Sequence, residues 1–215
     1  FNQIFPGNIY RSAIFLSTII GTFSFFLSAN IFSSISSNRN KAKHWLWLYA
    51  LSPMTIFFFV GYSEAIFTLE SFILIGLILK ILRNINKPYH FQIVNYSLIF
   101  FTCIALGFTK STLVQAIFSS TSAFLLTVLL NKDVFNYKKY LILSIIIIFG
   151  FICGYFIYGI ICLGNGYSFI EPFLAQKNWG KLLGFRPIYL FTSRSPILDL
   201  WALYYPFIVF TLYFL

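Results

Sequence analysis

Seven stretches of apolar sequence, each long enough or nearly long enough to cross a bilayer and each bounded by a small cluster of charge, account for most of this 215-residue chain. A spanning helix needs about 20 largely apolar residues at 1.5 Å of rise each. The runs cover roughly 11–36, 45–60, 63–82, 90–108, 113–130, 140–163 and 198–215. The second contains Pro53, which in a helix interior frees a carbonyl and bends the rod, so this span is expected to be short or kinked. Charged residues make up 9% of the chain, against about 25% in soluble domains, and that is too few to solvate a surface. Hydrophobic types reach 59%, aromatic types 22%, and the mean hydropathy is +0.84. A soluble domain is excluded. The expected fold is all-α: a single transmembrane domain over 1–215, a polytopic bundle of about seven spans.

The order of charges supplies an internal test of that reading. If successive spans alternate in direction, the connections 37–44, 80–90 and 131–139 fall on one membrane face. They carry Arg39, Lys41, Lys43, Lys80, Arg83, Lys87, Lys132, Lys138 and Lys139 against the single acid Asp133. The positive-inside rule makes this face cytoplasmic. The net charge of +10 is thereby used for topology, and no basic stripe interleaved with stacking aromatics points to nucleic acid. Cys103, Cys153 and Cys162 lie in apolar runs without CxxC or Cys/His spacing, so neither a disulfide framework nor a metal site is indicated. No cofactor is expected.

The opposite face should be poor in Lys and Arg, yet it receives Arg11, Lys110, Lys177, Lys181, Arg186 and Arg194. One reading treats these as ordinary exceptions in loops. The other is an anion site at the outer surface, where a lipid-linked phosphate is held by charge-assisted hydrogen bonds. The segment 164–196 fits the second reading. It is amphipathic, with Phe169, Ile170, Phe173, Leu174, Trp179, Leu182, Leu183 and Phe185 available to lie in the interface, and Lys177 and Lys181 stand one helical turn apart.

Ionisable groups at membrane depth cost about 2.5–3.5 kcal/mol at a helix centre by insertion scales, so each is a functional candidate. Glu64, in Gly61-Tyr62-Ser63-Glu64, stands where the second span turns into the third; it suits both helix capping and the lining of a site. Glu70, nearly two turns deeper, is better explained by a hydrogen bond or pairing between helices. Lys110 interrupts an apolar hairpin as a turn charge, a partner for Glu64 or a phosphate ligand. Asp199 suits the positive end of the last helix. Gly150 and Gly154 form a GxxxG, a motif for close helix approach with no chemistry of its own. His44 and His90 fall in the cytoplasmic connections, too far from the acids for Ser/His/Asp catalysis.

The run Leu51-Ser52-Pro53-Met54-Thr55-Ile56-Phe57-Phe58-Phe59-Val60-Gly61-Tyr62-Ser63-Glu64-Ala65-Ile66-Phe67 resembles a signature of the PIG-V type GPI mannosyltransferase family and its bacterial relatives. In that family a P…FF…YSE-x-LF stretch follows a basic cytoplasmic loop, as Pro53, Phe57, Phe58, Tyr62, Ser63, Glu64 and Phe67 follow Arg39 to His44 here. Two weaker parallels keep the same order. The run 105–112 looks like the outer hairpin of the family, with Lys110 in the place of an Arg, and Phe173-Leu174-Ala175-Gln176-Lys177-Asn178-Trp179-Gly180 looks like its AQ-x-x-WG element. Together they cover roughly residues 25 to 185.

This resemblance implies a GT-C type glycosyltransferase, an enzyme that takes mannose or another sugar from a polyprenyl-phosphate carrier on the extracytoplasmic or lumenal side and passes it to a lipid-linked acceptor. Its partners would be that donor, a glycolipid acceptor and membrane lipids, in a bacterial plasma membrane or an endoplasmic reticulum membrane. The substrate-binding positions carried over are Tyr62, Ser63, Glu64, Lys110, Gln176, Lys177 and Trp179; Lys181 and Arg186 join them from the basic cluster of the outer face. The family's catalytic Asp stands on the first outer loop, and no acid precedes Glu64; the chain is then either a fragment whose first span and catalytic loop lie upstream of Phe1, the reading favoured by the absence of an initiator Met, or a degenerate relative. A multi-span secondary transporter and a non-catalytic membrane protein are the competing readings, although no internal repeat of the kind carriers show relates the two halves.

Overall fold

The structure, a computed structural model, describes residues 9–36, 38–51, 64–84, 88, 92–109, 120–121, 125 and 137–170. All regular structure among the described residues is helical: α1 (Ile9–Ile35), α2 (Arg39–Ala50), α3 (Glu64–Arg83), α4 (Ile93–Thr109) and α5 (Tyr137–Gly164). The helices Arg11–Ile35, Ala65–Arg83 and Tyr137–Gly164 are long and apolar enough to cross a membrane, and Ile93–Thr109 is a shorter apolar helix. They correspond to the first, third, sixth and fourth expected spans. Residues 52–60 of the second run, nearly all of the fifth and all of the seventh lie outside the described residues. The chain divides into two compact units, Phe1–Leu69 with Lys181–Leu215, and Glu70–Gly180.

In the first unit, α1 carries many hydroxyls for a helix in an apolar solvent. Its own backbone answers them: Thr18 Oγ1 donates to Ile14 O at 2.8 Å, Thr22 Oγ1 to Thr18 O at 2.7 Å, Ser24 Oγ to Ile20 O at 2.9 Å and Ser28 Oγ to Phe25 O at 2.7 Å. A hydroxyl folded back in this way presents mostly carbon to its surroundings. Ser17, Gly21, Ser24, Ser28 and Ile31 are buried at alternating spacings of four and three, so small residues form one packed stripe. The opposite face carries exposed Phe15, Phe23 and Phe26.

The chain then turns back. Ser36 Oγ donates to Asn38 O, and Asn38 Oδ1 accepts from the Asn40 backbone N–H at 2.8 Å, which caps α2. The basic residues read as a connection are therefore helical from Arg39 onward, because Lys and Arg are good helix formers and the cap sits ahead of them. α2 lies antiparallel to α1. Phe25 stacks on Tyr49 with ring centres 6.4 Å apart, while Phe32, two turns further along α1, meets Trp45 at 6.5 Å and Tyr49 at 6.2 Å.

In the second unit, α3 ends with Lys80 and Arg83 in its last turn, where cations complement the helix dipole. Asn84 Nδ2 donates to Lys80 O at 2.9 Å, and the buried Gln92 donates its amide N–H to Asn84 O, closing the turn into α4. This turn starts α4 at Ile93, three residues later than the apolar run suggests.

α4 and α5 pack in parallel through glycine. Phe100 stacks on Phe149 at 6.0 Å, and Phe108 meets Tyr158 edge-on at 5.7 Å, so the register advances in the same direction on both helices. Between these pairs the backbones nearly touch. A Cβ placed on Gly150 would stand 2.6 Å from Cys103 Cβ and 2.9 Å from Phe100 O; one on Gly107 would stand 2.7 Å from Phe151 O. One on Gly154 would collide with Ile104 O and come within 3.0 Å of the Phe108 N. The GxxxG thus serves the close approach its spacing suggests.

α5 ends in a Schellman turn. Tyr167 N–H reaches Cys162 O at 2.9 Å, Gly166 N–H reaches Leu163 O at 3.0 Å, and Gly166 takes φ +79°, a conformation that favours glycine. The next residues fold back on the helix. Phe169 packs against Tyr155 at 6.1 Å and Phe156 at 5.3 Å, over Gly159, where a Cβ would stand 2.5 Å from its ring. Phe169 is thus a contact of α5 instead of the interfacial residue the amphipathic pattern suggests, while Ile170 stays exposed.

Candidate functional site

The described residues bring together one polar pair at membrane depth. Glu70 stands six residues into α3, about 9 Å along the axis from the first residue, Glu64. Its Oε1 accepts a hydrogen bond from Thr109 Oγ1 at 3.1 Å, across 39 residues of sequence. Glu70 therefore makes the interhelical hydrogen bond that its depth in the span called for. Since Thr109 is the last residue of α4, the bond ties the early part of α3 to the far end of α4, as the Gln92–Asn84 bond ties the other ends.

The proton inventory of the pair is tight. Thr109 Oγ1 also lies 2.8 Å from Ala105 O, and a hydroxyl has one proton to give. When that proton serves Glu70, Ala105 O keeps only its helical N–H partner. When it serves Ala105 O, a lone pair on Thr109 is free to accept, and the Glu70 carboxyl completes the bond by bringing a proton of its own. The second oxygen, Oε2, is buried without a hydrogen-bond partner among the described residues. A lone carboxyl oxygen in an apolar setting is a receptive acceptor for any donor that reaches it.

The residues singled out from the sequence fall mostly elsewhere. Glu64 opens α3, with its side chain outside the described set. Tyr62, Ser63, Lys110, Gln176, Lys177, Trp179, Lys181 and Arg186 also lie outside the described residues, as does Asp199. Arg11 is exposed in the first turns of α1, at the start of a spanning segment. Of the 164–196 segment expected to lie in the interface, residues beyond 170 lie outside the described residues.

Sequence reasoning missed Thr109 as the partner of Glu70. The signal was present: alternating spans set the deep end of one helix against the closing turn of the next, and Thr109 is the hydroxyl at that depth. It also missed Cys103 and Gly107, small residues four apart on α4, of which Cys103 stands against Gly150 and Gly107 against the Phe151 backbone of α5. No protein-family model, curated protein or solved structure matches this chain significantly.

Proposed function

We propose that this membrane protein is a GT-C type glycosyltransferase that moves a sugar, mannose in the first instance, from a polyprenyl-phosphate donor to a lipid-linked acceptor on the extracytoplasmic or lumenal face. The observation that carries the reading is the run from Pro53 through Tyr62-Ser63-Glu64 to Phe67, which leads directly into the apolar helix α3. Inverting transfer from a sugar phosphate needs a carboxylate to take the acceptor proton and cations to stabilise the departing phosphate. Lys110, Lys177, Lys181 and Arg186 are the cations in this reading. Gln176 and Trp179 bind the donor beside them, and Tyr62, Ser63 and Glu64 orient the acceptor. Glu70, bonded to Thr109, braces the helix that Glu64 begins.

Transfer from polyprenyl-phosphate-mannose by the full-length protein tests the proposal. Each lysine-to-phosphate hydrogen bond is of the charge-assisted kind, so Lys177→Ala with Lys181→Ala is expected to weaken donor binding by about 10-fold or more. Unchanged donor affinity in that double variant overturns the anion site. Absence of any sugar transfer by the full-length wild type overturns the enzyme.

A further inference from the structure

Glu70 and Thr109 make more close polar contacts than an ionised carboxylate can use. Thr109 Oγ1 stands 3.1 Å from Glu70 Oε1 and 2.8 Å from Ala105 O, and its hydroxyl carries one proton. With Glu70 as a carboxylate, that proton goes either to Oε1 or to Ala105 O, and the other contact is left as oxygen against oxygen. The negative charge then rests on a group with at most one donor, because Oε2 is buried without a hydrogen-bond partner among the described residues. A carboxylate enclosed in this way in an apolar span costs far more than its neutral acid. The contact between Oε1 and Oγ1 is also long for a hydroxyl on an anionic oxygen, a bond that draws in to about 2.5–2.7 Å.

One added proton satisfies every contact. Placed on Oε1 it is donated to Thr109 Oγ1, the threonine proton passes to Ala105 O, and Oε2 becomes the carbonyl oxygen of a neutral acid, which costs less to leave unpaired than an anion does. The described neighbours supply no charge that would replace it. One turn away on α3 stand Ile66, Phe67, Ile73 and Leu74, and α4 contains no Asp, Glu, Lys, Arg or His; its titratable groups, Tyr96 and Cys103, lie thirteen and six residues before Thr109. On α5, Tyr158 meets Phe108, while Lys138 and Lys139 stand in the first turn, about 30 Å from Tyr158 along the axis. Lys110 and the Glu64 side chain lie outside the described residues. A metal cation would need further ligands, and no group of three His, Cys, Asp or Glu gathers among the described residues.

We propose that Glu70 and Thr109 form a proton-binding site inside the membrane, occupied in the folded protein, with Glu70 Oε1 as the donor and Thr109 as the relay to Ala105 O. This proposal does not rest on the sugar-transfer reading, in which neither residue touches substrate. Infrared difference spectroscopy of the full-length protein in maltoside micelles at neutral pH, wild type against each variant, reads the proton directly. An ordinary glutamate titrates near about pH 4.3 and shows only carboxylate bands there. Glu70→Gln is expected to remove one carboxylic-acid carbonyl band and no carboxylate intensity, and Glu64→Gln to leave that band in place. Thr109→Val, which deletes the relay, is expected to shift the band to higher frequency, and Thr109→Ser to keep it where it is. These two variants carry the test by themselves if Glu70→Gln does not fold. The proposal is overturned if Glu70→Gln removes carboxylate intensity and no acid band, if Glu64→Gln removes the band, or if Thr109→Val leaves it unmoved.

Discussion

The α1–α2 corner and the α4–α5 seam join helices by opposite means. At the seam, Gly107, Gly150 and Gly154 remove side chains altogether, and backbone carbonyls of one helix lie against the α-carbons of the other. At the corner, Phe25, Phe32, Trp45 and Tyr49 hold the helices apart by the width of their rings. In lipid there is little hydrophobic gain from bringing two apolar helices together, so packing quality has to supply the association energy. The seam obtains it from many short contacts between rigid backbones, while the corner relies on a few aromatic pairs between side chains that can rotate. A backbone-tight interface should therefore tolerate almost no added volume, whereas the aromatic one should degrade gradually.

The largest contrast is expected from a single methyl group. Gly154→Ala sets a Cβ against Ile104 O and the Phe108 N, neither of which can rotate away, and should destabilise the folded protein by about 3 kcal/mol. Gly76→Ala, in α3 where a Cβ meets nothing within 4 Å, should instead stabilise by about 0.5–1 kcal/mol. Reversible unfolding in mixed dodecyl sulfate micelles measures both. Equal effects at the two glycines would show that the seam is not backbone-limited.

At the corner, Phe32→Ala removes one ring from two aromatic pairs and should cost about 1–2 kcal/mol in the same measurement. A loss as large as that of Gly154→Ala would erase the distinction between the two interfaces. The smallest loss of stability is assigned to Asn38→Ala, which deletes the cap of α2 and should cost about 1 kcal/mol. Helicity by circular dichroism should fall only slightly, since Ala42 N–H still finds Asn38 O at 3.1 Å. An unchanged stability would mean that the aromatic contacts with α1 alone hold the corner.

Span existence was legible wherever apolar length and flanking charge agreed, as in α1, α3 and α5. Boundaries were not legible where a side chain sets them. Asn38 starts α2 inside a charge cluster, and a run of lysines reads as a connection only if charge is assumed to break helices. Gln92 bonded back to Asn84 delays α4, a contact between residues eight apart that no periodicity reveals. The GxxxG was visible as a motif, but its partner was not, because Cys103 and Gly107 acquire meaning only once the two helices are known to be neighbours in parallel register. Glu70 was legible as a residue needing an interhelical partner, and Thr109 became that partner through the fold. The residues read from family resemblance, from Tyr62 to Trp179, come from distant parts of the chain, and motif spacing carries no information on how such parts meet.

The parallel register of α4 and α5 also has a consequence in time. Cys103 and Gly150 are separated by about fifty residues, which take about 2–10 s to emerge at the usual rate of synthesis. During that interval α4 is already made while the helix that fills its groove at Cys103 and Gly107 does not yet exist. Whatever inserts this protein must hold a seventeen-residue helix with an open glycine notch for several seconds before its permanent neighbour arrives.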